Sequence, residues 1–442
     1  MVRVRLARRA LLKGGGALAI GTALPPPLSF VFSRPASAAG PGPLVPDPLG
    51  LLDLPAGFAY KVLERQGDPM SDGYRVPGAP DGMACFAGAG NTLVLMRNHE
   101  VSLNDPAAGP YRPGQVPSPL AYDPTGHGGV TRLVIDAATL DRVSSNLVLA
   151  GTSRNCAGGV SPWGWLSCEE HFTATHGYVF VCPADAPATR LPQRIVSYGH
   201  FNHEAATVDP ATSICYLTED RPDGCLYRFL PVSAARPFEG RLQALRVVGQ
   251  DGYHTGASGL TVGQALDVGW VDVTDPDPAA DTVRAEARAR GAAVLVRGEG
   301  LWYHQGSVYV CSTSGGPAAT GQIFRLLPNA AHTGGKLELI AQSADPARLD
   351  MPDNITIAPW GGLFMAEDGG GRNFIRGLDP GGAVFDFARG PSSGSEFAGV
   401  CFAPRGQAMF VNLQRNGLTL AITGPFAAAF GPPGAPSSLT AR

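Results

Sequence analysis

Short apolar runs broken by turn residues repeat along most of the chain. TLVLMRNHE, GYVFVCP, SICYLTED, CLYRFLP, SVYVCSTS, QIFRLLP, NITIAP, GLFMAEDG, GVCFAP and AMFVNLQ are all of this kind. Each is rich in β-branched or aromatic residues and is bounded by Gly, Pro, Asp or Asn, the pattern of a short strand. ITIAP-WG-GLFMAED and VCFAP-RG-QAMFVN predict hairpins. A helical period appears in AADTVRAEARARGAA, around 280–293, inside a stretch from about 232 to 296 that predicts an insertion.

The strands recur as a plan: an acidic residue, an apolar strand, a tight turn, a second strand, a polar end. HEAATVDPATSICYLTED, EGLWYHQGSVYVCSTS, PDNITIAPWGGLFMAED and SEFAGVCFAPRGQAMFVN follow it. With anchors at Glu100, Cys156, Glu204, Glu299, Asp353 and Glu396, the units lie roughly 43–56 residues apart, apart from one step of about 95 that holds the insertion. This predicts an all-β fold, a six-bladed β-propeller with a short helical insertion, as a single domain over 39–442.

The N-terminus changes the picture of where the chain works. ARRALLKGGGALAIGTALPPP carries the pair Arg8-Arg9, and Ala36-Ser37-Ala38 fits a small-residue cleavage site. The apolar run from Ala17 to Leu24 is too short to span a bilayer, which takes roughly 20 residues. Residues 1–38 read as a twin-arginine signal peptide, which implies the twin-arginine export machinery and a periplasmic or extracellular address. The whole chain has 34 basic and 37 acidic residues, and the leader holds Arg3, Arg5, Arg8, Arg9, Lys13, Arg34 and no acid. The mature chain therefore carries a net charge of about −9, which argues against a nucleic-acid partner. No other apolar run is long enough for a membrane span. Cys215, Cys311 and Cys401 sit inside apolar runs and read as buried core cysteines.

In a propeller the innermost strands line an axis, so acids far apart in sequence become neighbours. Crowded carboxylates resist burial unless a cation neutralises them. The recurring acids thus predict bound metal, and hard oxygen ligands favour calcium or magnesium. For any single acid, a turn cap or a local ion pair explains it as well. In NCAGGVSPWGWLSCEEHF, Cys156 and Cys168 are spaced so that a loop disulfide and a metal ligand are both open.

Several stretches resemble the PhoX-type alkaline phosphatases: NCAGGVSPWGWLSCEE, FNHEAATVDP with YLTED, RGEGLWYHQGSVYVCSTSGG, MPDNITIAPWGGLFMAEDG and SEFAGVCFAPRGQAMFVNLQRNGLTLAITGPF. The resemblance implies a propeller with Fe3+ and Ca2+ on its axis, hydrolysing phosphate monoesters at alkaline pH through a metal-bound oxygen nucleophile. It implies Cys156, Glu170, Glu204, Glu299, Asp353 and Glu367 as metal ligands. Arg297 would face the phosphate of a small-molecule ester, with Cys156 and Glu299 at the reacting centre. Asn155, Glu100, Glu169, Asp368 and Glu396 would stand near it, with Glu169 against Glu170 and Glu367 against Asp368 open as direct ligands. The WGW turn is one residue shorter than the family form. Two other readings keep the acids: a calcium-dependent propeller hydrolase of a lactone or phosphotriester, and an exported propeller whose calcium is structural.

Overall fold

The computed structural model describes residues 40–431 except 258, 380, 381 and 393. The twin-arginine leader expected over residues 1–38 lies outside the described residues. Among those described, the chain is mostly strand, arranged like a propeller, with four four-stranded sheets, one sheet of nine strands and one of two. No helix there is long and apolar enough to cross a membrane.

The sheets are antiparallel meanders. The first holds Pro80–Ala87, Thr92–His99, Gly128–Asp136 and Arg142–Thr152. The second runs from Asn155–Ser161 through Gly164–Glu169 and Val179–Cys182 to Gln193–Ile195. The nine-stranded sheet begins at His203–Val208 and Cys215–Glu219 and ends at Ser307–Ser312 and Gly298–His304. Ala265–Asp272 lies between Arg236–Val247 and Gly335–Gln342 and pairs with both. That strand fuses what the sequence pattern separates into two units, and it comes from the stretch 232–296. The helical part of that stretch is Val283–Ala289.

The remaining sheets start at Pro352–Ile357 and Phe397–Phe402. In the last, the outer strand is Ala59–Arg65, which pairs with Leu418–Thr423, so the two ends of the chain complete one sheet. Glu64 of this closing strand is buried between Arg97 Nη2 at 2.7 Å and Arg142 Nη1 at 3.0 Å, while Arg97 Nη1 donates to Thr419 Oγ1 at 2.6 Å. Apolar side chains fill the spaces between neighbouring sheets. Met96, Val130, Trp165 and Phe180 pack between the first two, and Phe364, Phe387, Val411 and Leu420 between the last two.

The strands Pro80–Ala87, Asn155–Ser161, His203–Val208, Gly298–His304, Pro352–Ile357 and Phe397–Phe402 abut one another in a closed ring. Each breaks register with its neighbour near its start, by a β-bulge over residues 81–82, 156–157, 204–205, 299–300, 353–354 and 399–400. A bulge kinks a strand and re-aims a side chain. Gly82, Ala157, Ala205, Gly300, Asn354 and Gly399 line the narrow axial gap. The approach is so close that a methyl group on Gly300 would sit 2.3 Å from the carbonyl oxygen of Asp353. Small residues on the axis let the bulged strands meet.

The closing ion pair gives a stability test. Arg97 and Glu64 side chains are 1 % and 0 % exposed, and removing one partner of such a pair strands a buried charge. Arg97→Ala is expected to cost about 3–5 kcal/mol in reversible denaturant unfolding. A loss below about 1 kcal/mol would show that the clasp does not hold the ring shut.

Candidate metal centre

The bulges present side chains to the axis in two tiers. The first residue of the bulge supplies Asp81, Cys156, Glu204, Glu299 and Asp353, all buried. The equivalent position in Phe397–Phe402 is Gly399, whose N–H is bonded by Asn354 Oδ1. Above them, half-buried, stands the residue that follows the second strand of a sheet: Glu100, Glu170, Asp220 and Asp368. Glu396, just ahead of Phe397–Phe402, joins this outer tier.

Ligand atoms of Asp81, Glu100 and Cys156 lie within 4.8 Å of one another, as do those of Cys156, Glu170 and Glu204. Cys156 Sγ is 3.6 Å from Asp81 Oδ2. Gln414 Nε2 donates to Asp81 Oδ2 at 2.7 Å and to Glu100 Oε2 at 2.9 Å. Arg154 Nη2 lies 2.6 Å from Glu100 Oε1 and also contacts Glu170. Arg297 donates to Asp220 at 2.9 and 3.1 Å and lies 2.5 Å from Glu299 Oε1. Asp81 Oδ1 and Glu204 Oε1 are buried with no hydrogen-bond partner.

Such crowding shows in the acidities. Burial pushes the Asp81 carboxyl up to about 7, with the Glu170 charge adding to it. Burial first, then the Glu170 and Glu299 charges, drives Glu204 well above the carboxylate range. Burial and Asp353 do the same to Glu299, and burial and Glu204 to Asp353. Glu396 is raised to about 10 by burial and Asp81. Burial and the neighbouring carboxylates also hold the Cys156 thiol well above its usual value. Orphaned carboxylate oxygens in a buried cluster of acids and one thiol fit multivalent cations.

The period of two along a strand settles which member of each acidic pair faces the axis. Glu169, Glu219 and Glu367 are the last residues of second strands and turn into their own sheets. Glu169 accepts from Ser153 N at 2.9 Å, from Gly177 N at 2.8 Å and lies 2.6 Å from His176 Nδ1. Glu219 accepts from Tyr227 Oη at 2.7 Å and Arg284 Nη1 at 3.0 Å. Glu367 accepts from Arg376 Nε at 2.8 Å and from Asp350 N at 2.9 Å. Their successors Glu170, Asp220 and Asp368 face the cluster, where Asp368 feels the charges of Arg297, Asp220 and Glu170.

Of the residues singled out in the sequence, Cys156, Glu170, Glu204, Glu299, Asp353, Arg297, Glu100, Asp368 and Glu396 come together here. Glu169 and Glu367 stand one residue back. Asn155 also faces its own sheet, donating to Ser167 Oγ at 2.8 Å. Among the described residues the cysteines are unbonded, and Cys168 packs into the apolar core beside Leu166 and Val179, so no loop disulfide forms with Cys156. Sequence reasoning passed over Asp81 and Asp220. The signal for Asp81 was the acid-Gly pair Asp81-Gly82 ahead of an apolar strand, matching Glu299-Gly300. The anchor of that unit belongs on Asp81, because Glu100 comes just after the second strand, Thr92–His99.

A family model for the alkaline phosphatase PhoX matches residues 39–147 and 136–417. No curated protein matches the chain. Among solved structures, Pseudomonas fluorescens PhoX in complex with vanadate, a transition-state analogue, aligns over 87 % of this chain and 98 % of its own, with 18 % identity and a TM-score of 0.68. At that identity the likeness shows the fold. A gluconolactonase of Xanthomonas campestris aligns over 89 % of this chain and 99 % of its own, at 13 % identity and a TM-score of 0.44.

The raised acidities fix a sign for stability without metal. A carboxyl whose folded pKa exceeds its unfolded value, about 4, binds its proton more tightly when folded, so folding loses stability as pH rises through the folded pKa. With Asp81 at about 7 and Glu396 at about 10, chelator-treated protein is expected to melt at a lower temperature at pH 9 than at pH 6. Added calcium should shrink the difference. A melting temperature that is flat or rises over this range contradicts the crowding of charge described above.

Proposed function

The chain belongs to the PhoX alkaline phosphatase family and is a metal-dependent phosphatase; from that premise we propose that its axial cluster hydrolyses phosphate monoesters at alkaline pH with Fe3+ and Ca2+ bound among the side chains of both tiers. The observation that carries this reading is the repeated bulge, which delivers one thiol and several carboxylates to a single point from strands distant in sequence.

The donor set divides by softness. Cys156 as thiolate suits iron, and the carboxylates of Asp81, Glu100, Glu170, Glu204, Glu299 and Asp353 suit calcium as well as iron. Asp368 is the better candidate than Glu367, and Glu170 than Glu169, because the first-named of each pair faces the axis. When bound, the cations acidify water and draw charge from the phosphoryl oxygens. Arg297, with Nε and Nη2 anchored on Asp220 and Glu299, brings its remaining guanidinium nitrogen to the same place. A protonated Asp81 is a poor ligand, so rising pH favours the loaded centre, which supports placing the proposed activity at alkaline pH.

The architecture belongs to the same proposal. We count the nine-stranded sheet as two blades joined by Ala265–Asp272, which makes six blades in one domain over 39–442, with 232–296 as its enlarged connection. The chain reaches its compartment, periplasmic or extracellular, through the twin-arginine machinery, with residues 1–38 as the signal.

The test is a chromogenic phosphomonoester at alkaline pH, run beside a lactone and a phosphodiester, with metal content read by mass spectrometry on the same sample. The monoester should be turned over fastest, and iron and calcium should both be present. Cys156→Ser is expected to lose iron and about two orders of magnitude of activity. Full monoesterase activity in an iron-free Cys156→Ser protein would overturn the assignment.

A further inference from the structure

We propose that the substrate's phosphoryl group seats on one side of the axis, on an arc formed by the guanidinium groups of Arg154 and Arg297, with Asn202 between them positioning Glu170. The proposal rests on the phosphatase reading above and goes beyond it in naming Arg154 and Asn202 and in giving the centre a donor side.

These residues hold one equivalent position in three inner strands that follow one another around the ring. Each lies two residues ahead of the first bulged residue: Arg154 before Cys156, Asn202 before Glu204, Arg297 before Glu299. Each also reaches back to the acid that follows the second strand of the preceding unit. Arg154 Nη2 stands 2.6 Å from Glu100 Oε1. Asn202 Nδ2 donates to Glu170 Oε1 at 3.1 Å and to the Asp220 carbonyl oxygen at 3.3 Å, and Arg297 Nε donates to Asp220 Oδ1 at 2.9 Å. On the other half of the ring the same position holds Ala79, Met351 and Phe397, which offer no side-chain donor. At this position, side-chain donors therefore stand on three neighbouring strands and apolar side chains on the other three.

Backbone strain marks the position as well. Ala79, Arg154, Arg297 and Met351 have φ of 41°, 48°, 44° and 52°, a left-handed conformation that the ring imposes on this position on both sides and that on one side carries guanidinium groups. The twist points both guanidinium groups along the tier of acids. Arg154 has donor capacity to spare, since its Nε is buried without a hydrogen-bond partner. Phosphoryl transfer spreads charge over three equatorial oxygens. Two guanidinium groups, set around a rim with the Asn202 amide holding Glu170 between them, supply donors for those oxygens from protein rather than from cations. Were Arg154 only a counter-charge to Glu100 and Glu170, its removal would change cation affinity and leave affinity for inorganic phosphate untouched.

The experiment compares metal-loaded wild type with Arg154→Ala, Arg154→Lys, Asn202→Ala and, from the donor-free side, Ala79→Gly. Metal content, kcat, KM and the inhibition constant of inorganic phosphate are measured on each. At unchanged metal content, Arg154→Ala is expected to lower kcat/KM by about 10- to 100-fold and to weaken phosphate inhibition by about tenfold. Arg154→Lys restores part of this, since an ammonium lacks the planar fork. Asn202→Ala loses roughly five- to tenfold, and Ala79→Gly stays within about twofold of wild type. Should Arg154→Ala not fold, Arg154→Lys carries the decision, because it keeps the charge beside Glu100 and Glu170. Wild type with no monoesterase activity ends the phosphatase reading itself. Active wild type, with Arg154→Lys matching it in phosphate inhibition and kcat/KM, ends the arc. A loss in Ala79→Gly as large as in Arg154→Ala ends its one-sidedness.

Discussion

Carboxylates held a few ångströms apart in a dry setting repel one another, and nothing in this molecule is arranged as if that repulsion were to be avoided. Asp81, Glu204, Glu299 and Asp353 are buried together beside the Cys156 thiol, with Arg154 and Arg297 as the guanidinium groups of the inner position. A fold tolerates this only if the surrounding frame is stiff and something positive shares the space. The ring of inner strands is that frame. Each strand is kinked at the same place, and Gly82, Ala157, Ala205, Gly300 and Gly399 leave room there for the strands to touch. Geometry that forces the acids together thus also gathers the donor set that the proposed cations would use.

The frame explains the outer tier too. A second strand alternates its side chains, so an acidic dipeptide at its end has one member inside the sheet and one over the axis. Glu169, Glu219 and Glu367 pin the sheet to itself through His176, Tyr227 and Arg376. Glu170, Asp220 and Asp368 are left to the centre. Structural and chemical duties are divided within a single residue step, and the buried pairing of the first member holds the second in place.

Much of this was legible in the chain. Turn-bounded apolar runs gave strands, and their recurrence gave the radial plan. The spaced acids with Cys156 gave the convergence. What stayed hidden follows from the bulge, whose only residue mark is a short acid-Gly pair and which breaks the alternation a reader counts by. With Asp81 and Glu100 both acidic, the count fell on Glu100, which follows a strand instead of beginning one. Motif likeness pointed at Glu367, though the alternation in Leu363–Glu367 turns that side chain to Arg376. The joining of the two middle units by Ala265–Asp272 could not be foreseen, because pairing between outer edges is a long-range event with no local pattern.

The sheet shared by Ala59–Arg65 and Leu418–Thr423 ties assembly to synthesis. Until the C-terminal strands have left the ribosome, the early strand has no edge to join and Glu64 has no Thr419 beside Arg97 to complete its surroundings. Contacts spanning nearly the whole polypeptide are slow to form. The ring, and with it the full circle of acids around the axis, is complete only once the last-made strands pair with Ala59–Arg65.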